Sequence, residues 1–125
     1  MAAWSRDEID RIDGSDELRI ASTRRDGALG SERTIWVVRV DEDLYVRSVN
    51  GRTSQWFRAT QVRHEGRIRA GGVERDVTFV DPAADIGDRI DDAFRAKYRS
   101  YAASIVDHTV TPAARSATLM LVPRD

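Results

Sequence analysis

The sequence contains no cysteine. Disulfides, thiolate nucleophiles and cysteine-ligated zinc or iron–sulfur centres are therefore excluded. It has two histidines, His64 and His108, too few for a multi-histidine metal site. It carries no HExxH pattern and no nucleophile elbow. No apolar run approaches the roughly 20 residues that span a bilayer. Met1–Arg6 lacks the apolar stretch of a signal peptide, so the expectation is a cytoplasmic protein without membrane contact. Charge of one sign is also missing: 20 basic residues face 21 acidic ones, for a net charge of −1. Such a chain has no global basic field with which to displace counterions from nucleic acid, and no nucleic-acid partner is expected. Lysine is almost absent, because all the basic residues except Lys97 are arginines.

What remains is a globular composition. The 125 residues are 41% hydrophobic and 33% charged, the size of a single domain, 1–125. Ser5 and Glu8 form a capping box for a short helix that should stop at Gly14, with Trp4, Ile9 and Ile12 on its buried side. Residues 18–22 read as a strand and 24–33, with two glycines and no periodicity, as a loop. Residues 34–40 form a strong β-branched strand, turn at 41–43, and return as 44–49. Asn50-Gly51 marks a sharp turn, after which Thr53 or Ser54 caps a short helix through about Thr60. A second hairpin pairs 66–70 with 73–80 around Gly71-Gly72. A long helix is expected over 85–101, with Ile86, Ile90, Ala93, Phe94, Tyr98 and Tyr101 on one stripe. Pro112 ends the helical region, and 117–122 is a final strand. The expectation is a mainly β α+β fold: a six-stranded antiparallel barrel, curled to remove its edges, with a long C-terminal helix packed across it. Val38, Val46, Ile68, Val77, Phe79, Ile90, Phe94 and Leu121 are its core candidates.

Two features carry possible chemistry. The first is the segment Tyr45-Val46-Arg47-Ser48-Val49-Asn50-Gly51-Arg52-Thr53-Ser54-Gln55-Trp56. A strand ends in a glycine turn that feeds a helix N-terminus, where unpaired N–H groups and the dipole favour an anion. Arg47, Arg52, Ser48, Thr53 and Ser54 add donors, and Trp56 offers a face for a flat ring. The alternative is an ordinary hairpin exit with a capped helix. If Arg47 is partly exposed, removing it should cost a ligand more than the fold. The second is Lys97, inside the apolar stripe and flanked by Phe94, Tyr98 and Tyr101. Codon bias explains an arginine excess but leaves one lysine as an exception. Such a lysine snorkels, pairs with an acid, or serves a site as a base with depressed pKa. His64, between arginines, and His108 read as surface residues.

The segments Ile35-Trp36-Val37-Val38-Arg39, Leu44-Tyr45-Val46-Arg47-Ser48 and Gly51-x-x-Ser54-x-Trp56 resemble those of a family of short, uncharacterised bacterial proteins. So do Asp92-Ala93-Phe94-Arg95-Ala96-Lys97-Tyr98 and Ala117-Thr118-Leu119. That family is similar to the split-barrel flavin-binding fold of deazaflavin-dependent nitroreductases and pyridoxamine-phosphate-oxidase-like proteins. The resemblance implies a homodimer that binds the phosphate end of a flavin or deazaflavin on the hairpin and turn, at Arg47, Ser48, Ser54 and Trp56. The chain departs from the nitroreductases in its acidic first helix and its C-terminal half, so the cofactor is a flavin, a deazaflavin or none. Three functions follow as expectations. One is an oxidoreductase acting on a small organic molecule. A second is a cofactor-free cyclase, isomerase or lyase using Lys97 with Tyr98 or Tyr101 as acid and base. The third is a non-catalytic dimeric binding protein.

Overall fold

The computed structural model describes residues 3–124. The first helix, α1 (Arg6–Asp13), carries both hydrogen bonds of the Ser5–Glu8 capping box and buries Ile9 and Ile12. Strand β1 (Glu17–Ser22) follows. The β-branched run then divides into β2 (Arg33–Trp36) and β3 (Val38–Val40). The hairpin returns as β4 (Asp43–Arg47), and a 3-10 turn at Gly51–Thr53 leads into α2 (Gln55–Arg63), capped by Ser54. Strands β5 (Glu65–Ala70) and β6 (Val73–Val80) form the second hairpin. Three helices, α3 (Gly87–Lys97), α4 (Ala103–Asp107) and α5 (Pro112–Ser116), precede β7 (Thr118–Pro123).

All strand pairs are antiparallel, in the order β2-β1-β5-β6-β7-β4-β3. The two ends of that order, β2 and β3, are halves of one sequence run. The sheet therefore curls into a nearly closed barrel of seven strands rather than the expected six. The cause is local. Trp36 pairs with Glu17 of β1, whereas Val38 pairs with Tyr45 of β4, so the run must change partners at Val37. Val37 leaves both ladders. Its N–H donates to the Tyr98 hydroxyl at 3.1 Å, and its carbonyl accepts from Lys97 Nζ at 2.7 Å.

The expected long helix is also corrected. It spans 11 residues and ends at Lys97, and it is not C-terminal because β7 follows it. Tyr98 turns out of helical geometry at φ −104° and ψ 23°. Its ring stacks on Trp36 at 3.8 Å with the planes 3° apart. An aromatic face contact and the bonds at Val37 together outweigh another helical turn. Pro112, expected as a breaker, opens α5 at its first turn, where its missing N–H is harmless.

All eight core candidates are buried, but they divide between two clusters. Val46, Ile68, Val77, Phe79 and Leu121 fill the barrel together with Ile12 of α1 and Phe57 of α2. Val38, Ile90 and Phe94 form a second cluster with Val40, Tyr45, Tyr98 and Val106, where α3 and α4 cover the outside of β3 and β4.

Candidate functional site

The strand-to-helix turn after β4 is built as an interlocked joint. The Ser48 and Ser54 hydroxyls lie 2.7 Å apart and share a hydrogen bond, and Ser54 Oγ accepts from the Phe57 N–H at the start of α2. The Ser48 N–H donates to the Ala117 carbonyl, and Arg52 donates to the Ser116 carbonyl at 2.8 Å. The turn is thus stitched to the start of β7.

Arg47 sits beneath this joint with its side chain 0% exposed. Its Nε donates to Thr118 Oγ1 at 2.9 Å, and Nη1 donates to Asp91 and to the Thr109 carbonyl. Nη2 donates to the Gly87 carbonyl at 3.3 Å, and the guanidinium lies over Phe94. Asp91 also pairs with Arg115, which pairs with Asp88. Burial pushes the Arg47 pKa down and Asp91 pushes it back up. The partial exposure on which a ligand-only role for this residue depended is not found.

Lys97, Tyr98 and Tyr101 are brought together elsewhere, at the barrel seam. Lys97 Nζ donates to the Ser15 and Val37 carbonyls at 2.8 and 2.7 Å, with Asp13 at 3.9 Å. Burial lowers its pKa, and Asp13 and Asp16 oppose that shift. The Tyr98 hydroxyl shares its proton between the Asp16 and Val37 carbonyls at 2.6 and 3.0 Å, and burial pushes its pKa up. Tyr101 donates to Asp16 Oδ2, which raises its pKa.

Trp56 is apart from Lys97 and the tyrosines, and it lines one groove in common with Arg47. It stands between two cavities that it lines together with Arg33. One, of about 330 Å³, is a groove walled by Trp36, Trp56, Phe94, Val49 and Ile105. His108 and Thr109 also line it. Among the described residues the His108 imidazole has no hydrogen-bond partner, so it is free to meet an occupant. The other, of about 350 Å³, lies between the β1–β2 loop and α2 and is lined by Arg24, Arg25, Arg33, Ser22, Thr23 and Gln55, among others. Lys97, Tyr98 and Tyr101 line neither cavity, although Tyr98 supports Trp36 from behind.

Of the site residues singled out in the sequence, Arg47 and Trp56 line the groove, whereas Trp36, His108 and the arginines of the loop were not among them. The paired Arg24-Arg25 beside Gly27 was the available signal. His108 had none, because its place depends on how α4 is laid against the barrel. Among the described residues, no group of three or more His, Cys, Asp or Glu is placed to hold a metal ion. No described helix is long and apolar enough to cross a membrane.

Residues 8–121 match the family model described as uncharacterized protein conserved in bacteria (DUF2255), and the chain belongs to that family. No curated protein matches the sequence. Solved structures do. A conserved hypothetical protein from Mycobacterium tuberculosis superposes with a TM-score of 0.68 at 14% identity, over 98% of this chain and 82% of that one. A putative pyridoxamine 5'-phosphate oxidase from Listeria innocua gives 0.65 at 12% identity, over 93% and 90%. An F420 reductase gives 0.60 at 14% identity, over 93% and 92%. At these identities the likeness establishes the split-barrel fold.

Proposed function

We propose that this member of the family holds a flat heteroaromatic molecule of the flavin or deazaflavin class in the groove beside Trp56 and works as a small cytoplasmic oxidoreductase. The observation that carries the reading is the groove itself. Two indole rings, Phe94 and Ile105 make walls suited to a flat ring, and His108 offers a free imidazole to its polar edge. The residues present therefore fit such a group. A bound flavin or deazaflavin supplies hydride chemistry. The chain's own part is positional. Tyr98, stacked on Trp36, fixes the angle of one wall, and Arg47 ties α3 and the segment before α5 to β4, which holds the other. Ser48 and Ser54 set the direction of α2 and so the place of Trp56. Val49 and Ile105, 46% and 50% exposed, stand at the lip of the groove as apolar surface that a second copy would cover, giving a homodimer.

The cofactor-free reading, with Lys97 and a tyrosine as acid and base, has less support. The Lys97 ammonium and the Tyr98 hydroxyl are both occupied by backbone carbonyls.

The test is titration of the purified protein with riboflavin, FMN and F420, followed by visible absorbance and tryptophan fluorescence. Binding is expected, with affinity weakened about tenfold or more in Trp56→Ala and His108→Ala. Unchanged spectra with all three compounds overturn the reading. Light scattering should give the mass of a dimer, and a monomer at micromolar concentration removes the second copy from the proposal.

A further inference from the structure

Resting on that reading of the groove, we infer that the ligand carries an anionic tail of two or more charges, phosphate or carboxylate, and that the cleft formed by Arg24, Arg25 and Arg33 receives it. Charge placement is the first argument. Among the described residues eleven of the nineteen arginines pair with a carboxylate, as Arg67 does with Asp76 and Arg69 with Glu32, and of the eight that do not, three are gathered around this one cleft. Arg24, Arg25 and Arg33 have no carboxylate partner among the described residues, and the only side-chain hydrogen bond among them is a long one of 3.5 Å from Arg33 to Gln55. Three like charges gathered around one concavity repel each other, and an anion relieves that repulsion.

The cleft's shape and lining are the second argument. An open cleft of about 350 Å³ lies between the loop and α2, and Ser22, Thr23, Ser31 and Gln55 supply neutral hydrogen-bonding groups among the arginines. Arginine suits this task because its planar fork bonds an oxyanion in pairs. The loop is shaped for it by hydrogen bonds that do not use these side chains: Arg24 N–H to the Ala28 carbonyl, and Gly30 N–H to the Ser22 carbonyl.

Continuity is the third. Arg33 and Trp56 line both the groove and the cleft, so one molecule can lay a ring against Trp56 and run its tail past Arg33 to Arg24 and Arg25. The turn after β4 cannot take the tail on Arg47, whose guanidinium is buried and bonded to four acceptors.

Riboflavin and FMN differ by one phosphate and provide the comparison. FMN is expected to bind about tenfold or more tightly, with the difference shrinking as salt is raised. In Arg24→Ala/Arg25→Ala, FMN should fall to the riboflavin level while riboflavin is unchanged, and in Arg33→Ala, which also touches the groove, FMN should lose more than riboflavin does. These arginines are exposed, so circular dichroism should show the fold intact. A second arm uses inorganic pyrophosphate, followed by amide chemical shifts, which needs no ring binding. Saturable shifts confined to residues 22–33 and the start of α2, lost in the arginine variants, keep the anion cleft even if neither flavin binds. Equal affinity for FMN and riboflavin, or no localised response to pyrophosphate, overturns the inference.

Discussion

Removing Arg47 should unfold much of what its burial organises. Its guanidinium joins β4 to Thr118 of β7, to Asp91 and Gly87 of α3, and to the carbonyl of Thr109 before α5. In Arg47→Ala, Thr118, Thr109 and Gly87 each lose a donor, and Asp91 keeps only Arg115. A charge-assisted hydrogen bond contributes about 1.5–3 kcal/mol, but four on one group do not add. Breaking a buried ion pair by removing one partner costs about 3–5 kcal/mol, and we expect a loss in that range. Against a domain stability of about 5–15 kcal/mol, the variant should be partly unfolded near body temperature. Urea denaturation of wild type, Arg47→Ala, Asp91→Ala and the double variant measures both the loss and the coupling. Arg47→Lys, which keeps charge but not the fork, should fall between. A loss below about 1 kcal/mol for Arg47→Ala, as for an ordinary surface change, refutes the reasoning.

Three further outcomes are expected. Burial raises the pKa of Tyr98 and Tyr45 above the usual 10.0, so the folded chain holds those protons more tightly than the unfolded one. Their contribution is complete below about pH 10 and is lost as pH rises beyond it, and alkaline melts should show a shallower fall in Tyr98→Phe. Lys97→Met should cost about 1–3 kcal/mol by leaving the Ser15 carbonyl without its donor, and Lys97→Arg a similar amount because a fork must enter a slot shaped for an ammonium. A thermal midpoint for Lys97→Met equal to wild type would show that the two carbonyls do not need it. Gly71 sits at φ +56° and a Cβ there would strike the Arg11 carbonyl oxygen, so Gly71→Ala should loosen α1 from the β5–β6 turn. Faster amide exchange at Ile9 and Ile12 is the measurement, and unchanged protection would count against that contact.

Much of the barrel is legible in the sequence because alternation and turn chemistry act locally. The capping box at Ser5, the Gly71-Gly72 hairpin and the Ser54 cap all stand where local rules put them. Val37 was illegible for the opposite reason. Nothing in Thr34-Ile35-Trp36-Val37-Val38-Arg39-Val40 announces a change of partner, since the break is imposed by Lys97 and Tyr98, which lie about sixty residues away in sequence. The end of α3 at Lys97 has the same origin. Composition and periodicity both singled out Lys97, and the structure shows what its compact cation touches: two carbonyls at the seam. Arg47 was read from its turn, but its burial depends on α3 and α5 folding over it, which no local pattern reports.

The place of β7 has a bearing on how the protein is made. Leu121 lies between Leu44 of β4 and Phe79 of β6, and its carbonyl accepts from the indole of Trp4, 117 residues earlier. During synthesis the ribosome therefore delivers both neighbours well before the strand that separates them. Until residues 118–123 emerge, β4 and β6 each present an unpaired edge beside apolar side chains such as Val46 and Val77. Such edges invite pairing with other chains. The nascent chain must wait in that state for β7, and closure through contacts so distant in sequence is slow. A chaperone that shields strand edges should thus affect the yield of this protein more than its final stability.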